Sequence, residues 1–158
     1  MPHWRFAPFE KLSPRDVHDL LQARSDVFVV EQSCVFPDVD GRDPQCWHLL
    51  GRDGSAPDGA LLAYCRLVPP GVKYDEPSIG RVLTTAAGRG QGAGRELMAE
   101  AISRVEALWP GRAIRIGAQQ YLEKFYASFG FVRVGEPYDE DGILHIDMVR
   151  AARHQQQA

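Results

Sequence analysis

Six consecutive residues near the middle of the chain, Arg89-Gly90-Gln91-Gly92-Ala93-Gly94, constrain its architecture more than any other segment. They stand between an apolar run of strand length, residues 79–84, and a segment in which Leu97, Met98, Ala101, Ile102, Val105 and Leu108 recur at helical spacing. A strand, a glycine-rich turn and a helix in that order present successive backbone N–H groups at the positive end of a helix dipole, with no side chains in the way. Such a turn suits a phosphate or diphosphate, and Arg89 adds a charge-assisted contact to the same anion. The competing reading is a turn that is glycine-rich for structural reasons alone.

Two familiar phosphate loops are excluded. A P-loop requires Gly-Lys-Ser/Thr, and no lysine in the chain is followed by serine or threonine. Gly88-x-Gly90-x-x-Ala93 matches a dinucleotide fingerprint on paper, but the next strand ends Gly117-Ala118-Gln119, without the carboxylate that would hold a ribose. The unit also begins halfway along a chain of 158 residues, too short for two mononucleotide halves.

Elsewhere the signals are of mixed type. Ser13-Pro14 reads as an N-cap followed by proline at the first helical position, opening one amphipathic helix, or two short ones, over residues 13–30. Residues 33–45 carry Pro37, Gly41, Pro44 and three aspartates and read as a loop. Strands are expected at residues 4–8, 47–51, 60–68, 79–84, 113–118, 131–134 and 143–149, and a short helix at 121–129 closed by Gly130. The economical arrangement is a single α/β domain over residues 1–152, with helices on both faces of the sheet and a polar tail at 153–158. A composition of 44% hydrophobic and 25% charged residues argues for a globular chain rather than a disordered one. The net charge of -3 gives no footprint for nucleic acid or membrane surfaces, and no apolar run is long enough to span a bilayer. The opening residues lack a signal-peptide pattern, so a cytoplasmic protein is expected. Cys34, Cys46 and Cys65 have neither zinc spacing nor an even count and read as reduced thiols, with a Cys34–Cys46 bridge as the lesser alternative. No metal is expected, since Asp38-x-Asp40 lacks the other positions of a calcium loop.

The chain resembles the Gcn5-related N-acetyltransferase (GNAT) superfamily. Its R/Q-x-x-G-x-G/A motif is matched by Arg89, Gly92 and Gly94, and its Y-x-x-x-G-F motif by Tyr126 to Phe131. The likeness extends to the ElaA-like branch, from about Leu20 to Arg150. It includes residues 24–32, 38–41 and 79–82, Gly117-Ala118-Gln119, residues 138–143, and His145-Ile146.

The resemblance implies a mixed, mostly antiparallel twisted sheet of six to seven strands, splayed beside the glycine loop. It further implies acetyl-CoA as co-substrate. Backbone groups of Val82, Leu83 and Thr84 would line the pantetheine arm, Arg89, Gly90, Gln91, Gly92, Ala93 and Gly94 would cradle the diphosphate, and Gln119 and Tyr126 would complete the site. A small-molecule or peptide amine would attack the thioester directly, and Tyr126 would protonate the departing thiolate. Tyr126 also fits a core aromatic on the Leu122–Phe125–Phe129 face.

The residue that takes the amine proton is open among Glu31, His48 and His145; either histidine could equally be a hydrogen-bonded strand residue, and Glu31 a surface residue at a helix end. Two acidic groups, Asp38/Asp40/Asp43 and Asp139/Glu140/Asp141, would steer a cationic acceptor if both faced the site, or be solvated loop charge if not. A homodimer is compatible with the family but displayed by nothing in the sequence. The rival readings are a coenzyme A-binding regulatory domain without catalysis and an acyl-homoserine-lactone-synthase-like acyltransferase.

Overall fold

A computed structural model describes residues 2–152; the expected polar tail lies outside the described residues. Seven strands form two antiparallel ladders, β1-β2-β3-β4 and β5-β7-β6. In the first, β1 (Pro2–Pro8), β2 (Trp47–Asp53), β3 (Leu61–Val68) and β4 (Ser78–Thr84) follow one another in space as in sequence. In the second, β7 (Ile143–Arg150) lies between β5 (Ile114–Gln119) and β6 (Phe131–Glu140).

The strands alternate as a sheet covered on both faces must. Leu49, Ala63, Cys65 and Leu67 point to one face and pack with Leu97, Met98, Ala101 and Val105 of α2 (Ala93–Leu108). Leu50 and Tyr64 point to the other and meet Leu20 and Ala23 of α1 (Pro14–Arg24). The start of α1 is the expected one: the Asp16 N–H donates to Ser13 Oγ at 3.0 Å and the Ser13 N–H to Asp16 Oδ2 at 3.1 Å, a reciprocal capping box. Past Arg24 the coil widens into a π-helical stretch, Ser25–Glu31, which carries the chain to the mouth of the site.

Two elements differ from the sequence reading. The segment at residues 121–129 is a 3-10 turn, Gln120–Leu122, leading into a short α3 (Glu123–Ala127), with Gly130 left-handed at φ 92°. The strand expected to stop at Val134 continues to Glu140, because Gly135 (φ 77°) and Pro137 are absorbed in a bulge. β6 is an edge strand, where a missing proline N–H costs no ladder bond.

Residues 33–45 form a loop fastened by buried ion pairs. Arg24, 0% exposed, donates to Asp38 Oδ2 at 2.9 Å, to Asp43 Oδ1 at 2.7 Å and to the Asp38 carbonyl at 2.7 Å. Arg66 donates to Asp40 Oδ2 at 2.6 Å and Asp43 Oδ1 at 2.9 Å, and Arg81 to the Asp38 carbonyl at 2.8 Å. Burial alone would raise the Asp43 carboxyl, but Arg24 and Arg66 outweigh it and hold the group below its ordinary value. Asp40 is held low in the same way by Arg66, its burial again opposing. Since three arginines neutralise Asp38, Asp40 and Asp43, these residues are not free steering charges, and Asp38 and Asp43 are buried rather than solvated.

Removing one partner leaves a buried cation uncompensated, so Asp43→Asn should lower the unfolding free energy by about 3 kcal/mol or more in urea titrations. The same pairs set an acid limit. With folded pKa values below the unfolded ones, Asp40 and Asp43 bind protons first in the unfolded chain as pH falls. The loss of these pairs should therefore make stability fall below about pH 5 and steeply below about pH 4, as followed by denaturant midpoints.

Candidate functional site

β4 and β5 lie side by side but share no ladder. A hydrogen bond from the Arg115 N–H to the Pro77 carbonyl, 3.1 Å, ties them where β5 begins, and from there toward Thr84 and Gln119 no ladder joins them. A cavity of about 500 Å³ fills the opening, with residues 78–84 on one wall and Ile116, Gly117 and Gln119 on the other. The gap-facing edge of β4 thus keeps backbone donors and acceptors outside any sheet, and Val82, Leu83 and Thr84 all line the cavity.

Midway along β4, Cys65 of β3 faces two residues, Arg81 and Val82, and Arg81 adopts a left-handed φ of 53°. A left-handed non-glycine residue inside a strand is strained, and its bulge re-aims the backbone beside the cavity. Bonds from the Arg81 side chain to the Asp38 loop hold it there.

At the open end of the gap the chain leaves β4 through a tight turn. Gly88 packs so closely on the Leu62 carbonyl that any Cβ would overlap it, a constraint with no visible sign in the sequence. Gly90 (φ 80°) and Gly92 (φ 77°) are left-handed, and Gly92 is the residue from which α2 starts. Space around both is open, so their glycines are required by backbone conformation rather than by packing. Gly90, Gln91 and Gly92 are exposed, while Ala93 is buried and Gly94 lies beside Thr84. These five residues stand just outside the cavity wall, and Arg89 stands on it. The first-turn N–H groups of α2, a helix of 16 residues, have no partners within the helix.

Tyr126 of α3 lines the cavity and is 7% exposed, edge-on to Phe125 and Phe131. Burial pushes its phenol above the ordinary value, so it stays protonated across the neutral range. It is thus both a core aromatic and a cavity group. His145 of β7 also lines the cavity. Its Nδ1 lies 2.8 Å from the Ile143 carbonyl, which can only accept, so in the neutral ring Nδ1 carries the hydrogen and Nε2 keeps its lone pair. Glu140 Oε2 sits 3.6 Å from that Nε2, placed to pair with it once protonated.

The other two base candidates are placed differently. His48 is fully buried away from the cavity, bonded through Nδ1 to Tyr64 Oη at 2.7 Å and through Nε2 to the Asp43 carbonyl at 2.9 Å. Burial lowers its pKa, so it is a neutral strut beneath the Asp38–Asp43 loop and not a proton acceptor at the site. Glu31 does line the cavity, but its carboxylate accepts from Arg89 Nη2 at 2.7 Å. Gln119 meets the neighbouring Gln32 at 3.2 Å, and Cys34 Sγ donates to the Asp141 carbonyl at 3.1 Å. All three cysteines are free. Of the second acidic group, Glu140 and Asp141 line the cavity, whereas Asp139 accepts from the Gly142 N–H in the β6–β7 turn.

Residues 67–152 match the family model described as an acetyltransferase (GNAT) domain. A UPF0039 protein of Synechocystis is 47% identical over 93% of this chain and 94% of its own length. Protein ElaA of Escherichia coli is 39% identical over 95% of this chain and 97% of its own, and its crystal structure superposes with a TM-score of 0.85. A solved acyl-CoA N-acyltransferase from Pseudomonas aeruginosa is 40% identical, covers 96% of this chain and 100% of that one, and superposes with a TM-score of 0.88. The chain belongs to the GNAT acetyltransferase family, in the branch that includes ElaA, and is an acyltransferase.

Proposed function

We propose that the protein transfers an acetyl group from acetyl-CoA to a primary amine, by direct attack of the amine on the thioester. The observation that carries this reading is the gap between β4 and β5, which has the glycine-rich start of α2 at its open end and Tyr126 and His145 on its walls.

In this reading the N–H groups around Gln91 to Gly94 and the Arg89 guanidinium bind the diphosphate, where the dipole of α2 adds to the attraction. The free edge of Val82 to Thr84 pairs with the amides of the pantetheine arm, with Gln119 across the gap. That edge fixes the thioester carbonyl at a set depth, which is most of what a bimolecular attack needs.

The amine must arrive neutral or lose its proton on attack, and His145 Nε2 is the acceptor, since its tautomer is fixed by the Ile143 carbonyl. As the N–C bond forms and the C–S bond breaks, the coenzyme leaves as a thiolate. The Tyr126 hydroxyl gives it a proton, inside apolar surroundings that destabilise thiolate and phenolate alike. Glu31, at the rim of the gap beside Arg89, has a binding role, and His48 a structural one.

Thiol release from acetyl-CoA over a panel of primary amines tests the assignment. Turnover on at least one amine is expected, whereas tight coenzyme A binding with no turnover on any would leave a donor-binding module in place of an enzyme. His145→Gln should lower kcat by roughly 100-fold with little change in coenzyme A affinity, and Tyr126→Phe should do the same by at least about ten-fold. Gly92→Val puts a β-branched side chain at a left-handed position and should abolish coenzyme A binding in calorimetry while the protein still unfolds cooperatively. Normal binding by that variant would overturn the loop assignment.

A further inference from the structure

Residues Glu31 and Gln32, at the end of the π-helical stretch, each reach across the open end of the β4–β5 gap. Glu31 holds Arg89, the first residue of the glycine loop, and Gln32 holds Gln119, the last residue of β5. The Arg89 Nη2 that bonds Glu31 also lies 3.2 Å from the Thr84 carbonyl at the end of β4, so the guanidinium is engaged by groups that line the gap. Both members of the ion pair are about half exposed, at 46% and 44% of their side-chain surfaces. A pair that exposed is weak and is exchanged readily for a better partner. A diphosphate bound at the start of α2 is such a partner, carrying more charge than a carboxylate and lying beside the same residue.

Resting on the transferase reading above, we propose that the Glu31–Arg89 pair is a clasp operated by the donor. Binding of the coenzyme draws Arg89 onto the diphosphate, and the Glu31 carboxylate so released becomes the cavity's binding group for the cationic form of the acceptor amine. Before the exchange, Glu31 is neutralised by Arg89 and adds nothing to the attraction of Glu140 and Asp141 for an ammonium group. After it, Glu31 joins Glu140 and Asp141 as cavity-facing carboxylates. The preferred acceptor is therefore an amine with a positive charge to spare, such as a diamine or a basic side chain, one nitrogen reacting while the other pairs with Glu31. Donor and acceptor sites are coupled through a single guanidinium, and each ligand strengthens the other's binding by the same factor.

The clasp is tested by a double-mutant cycle read as coenzyme A affinity in calorimetry. Glu31→Gln frees Arg89 in advance and should tighten coenzyme A by roughly five-fold, while Arg89→Ala weakens it. In the Arg89→Ala background, adding Glu31→Gln should change affinity by less than about two-fold. If Glu31→Gln tightens binding equally in both backgrounds, the carboxylate acts only through its general field and the clasp is overturned; no tightening in either overturns it as well. For a diamine acceptor found in the panel, Glu31→Gln should raise KM by roughly five-fold or more with kcat within about two-fold; an unchanged KM removes the ammonium role. Wild-type protein that binds no coenzyme A would instead sink the transferase reading itself.

Discussion

The separation of β4 from β5 is the constraint around which the rest of the molecule is arranged. An open strand edge inside a protein is normally a liability, since its N–H and C=O groups must find partners. Here the edge is preserved by what lies at either end. The Arg115–Pro77 hydrogen bond closes one end, and at the other the turn through Gly88 packs on Leu62 and directs the chain away into α2. The bulge at Arg81 and Val82 falls between these two points, on the strand that must pair on one side only. Seven strands in two ladders therefore leave one slot in which an extended ligand can take the place of a missing strand.

A slot of this kind needs walls that do not collapse, and the buried ion pairs supply one of them. Replacing such groups with apolar residues of equal volume often costs a protein nothing in stability, so their worth here lies in orientation. Arg24 comes from the end of α1, Arg66 from β3 and Arg81 from the bulge in β4, and all three converge on six residues of one loop. Fixing the Asp38–Asp43 loop to three elements at once also fixes those elements to one another. The strained backbone of Arg81 is held by the same contacts that anchor the loop.

How much of this was legible depended on whether a signal was local. The N-cap at Ser13, the glycine turn, the helix carrying Leu97 to Leu108 and the closing Gly130 are written in neighbouring residues and are read from them. The continuation of β6 was not, since Gly135 and Pro137 look like a stop unless it is known that the strand lies at an edge. The charge network was missed because its halves are 14 to 43 residues apart. A clue existed: Arg66 interrupts a strand otherwise made of apolar residues, and an arginine buried there demands an anion from elsewhere in the fold. The aspartates at 38, 40 and 43 were the available supply. His48 was ambiguous for the same reason, as a histidine inside an apolar strand reads alike whether it faces a cavity or a buried tyrosine.

What remains at the site once the network is set aside is a small number of charges, several of which come as opposed pairs. Glu31 faces Arg89, and Glu140 faces His145. The first pair is broken by an anion that competes for the guanidinium, and the second is completed by a proton delivered to the imidazole. Both events accompany the proposed reaction, donor binding in one case and amine deprotonation in the other. Had the Asp38–Asp43 loop been free, three more carboxylates beside the cavity would have swamped these single-charge changes. Neutralising that loop with three arginines is what allows one carboxylate at residue 31 to matter.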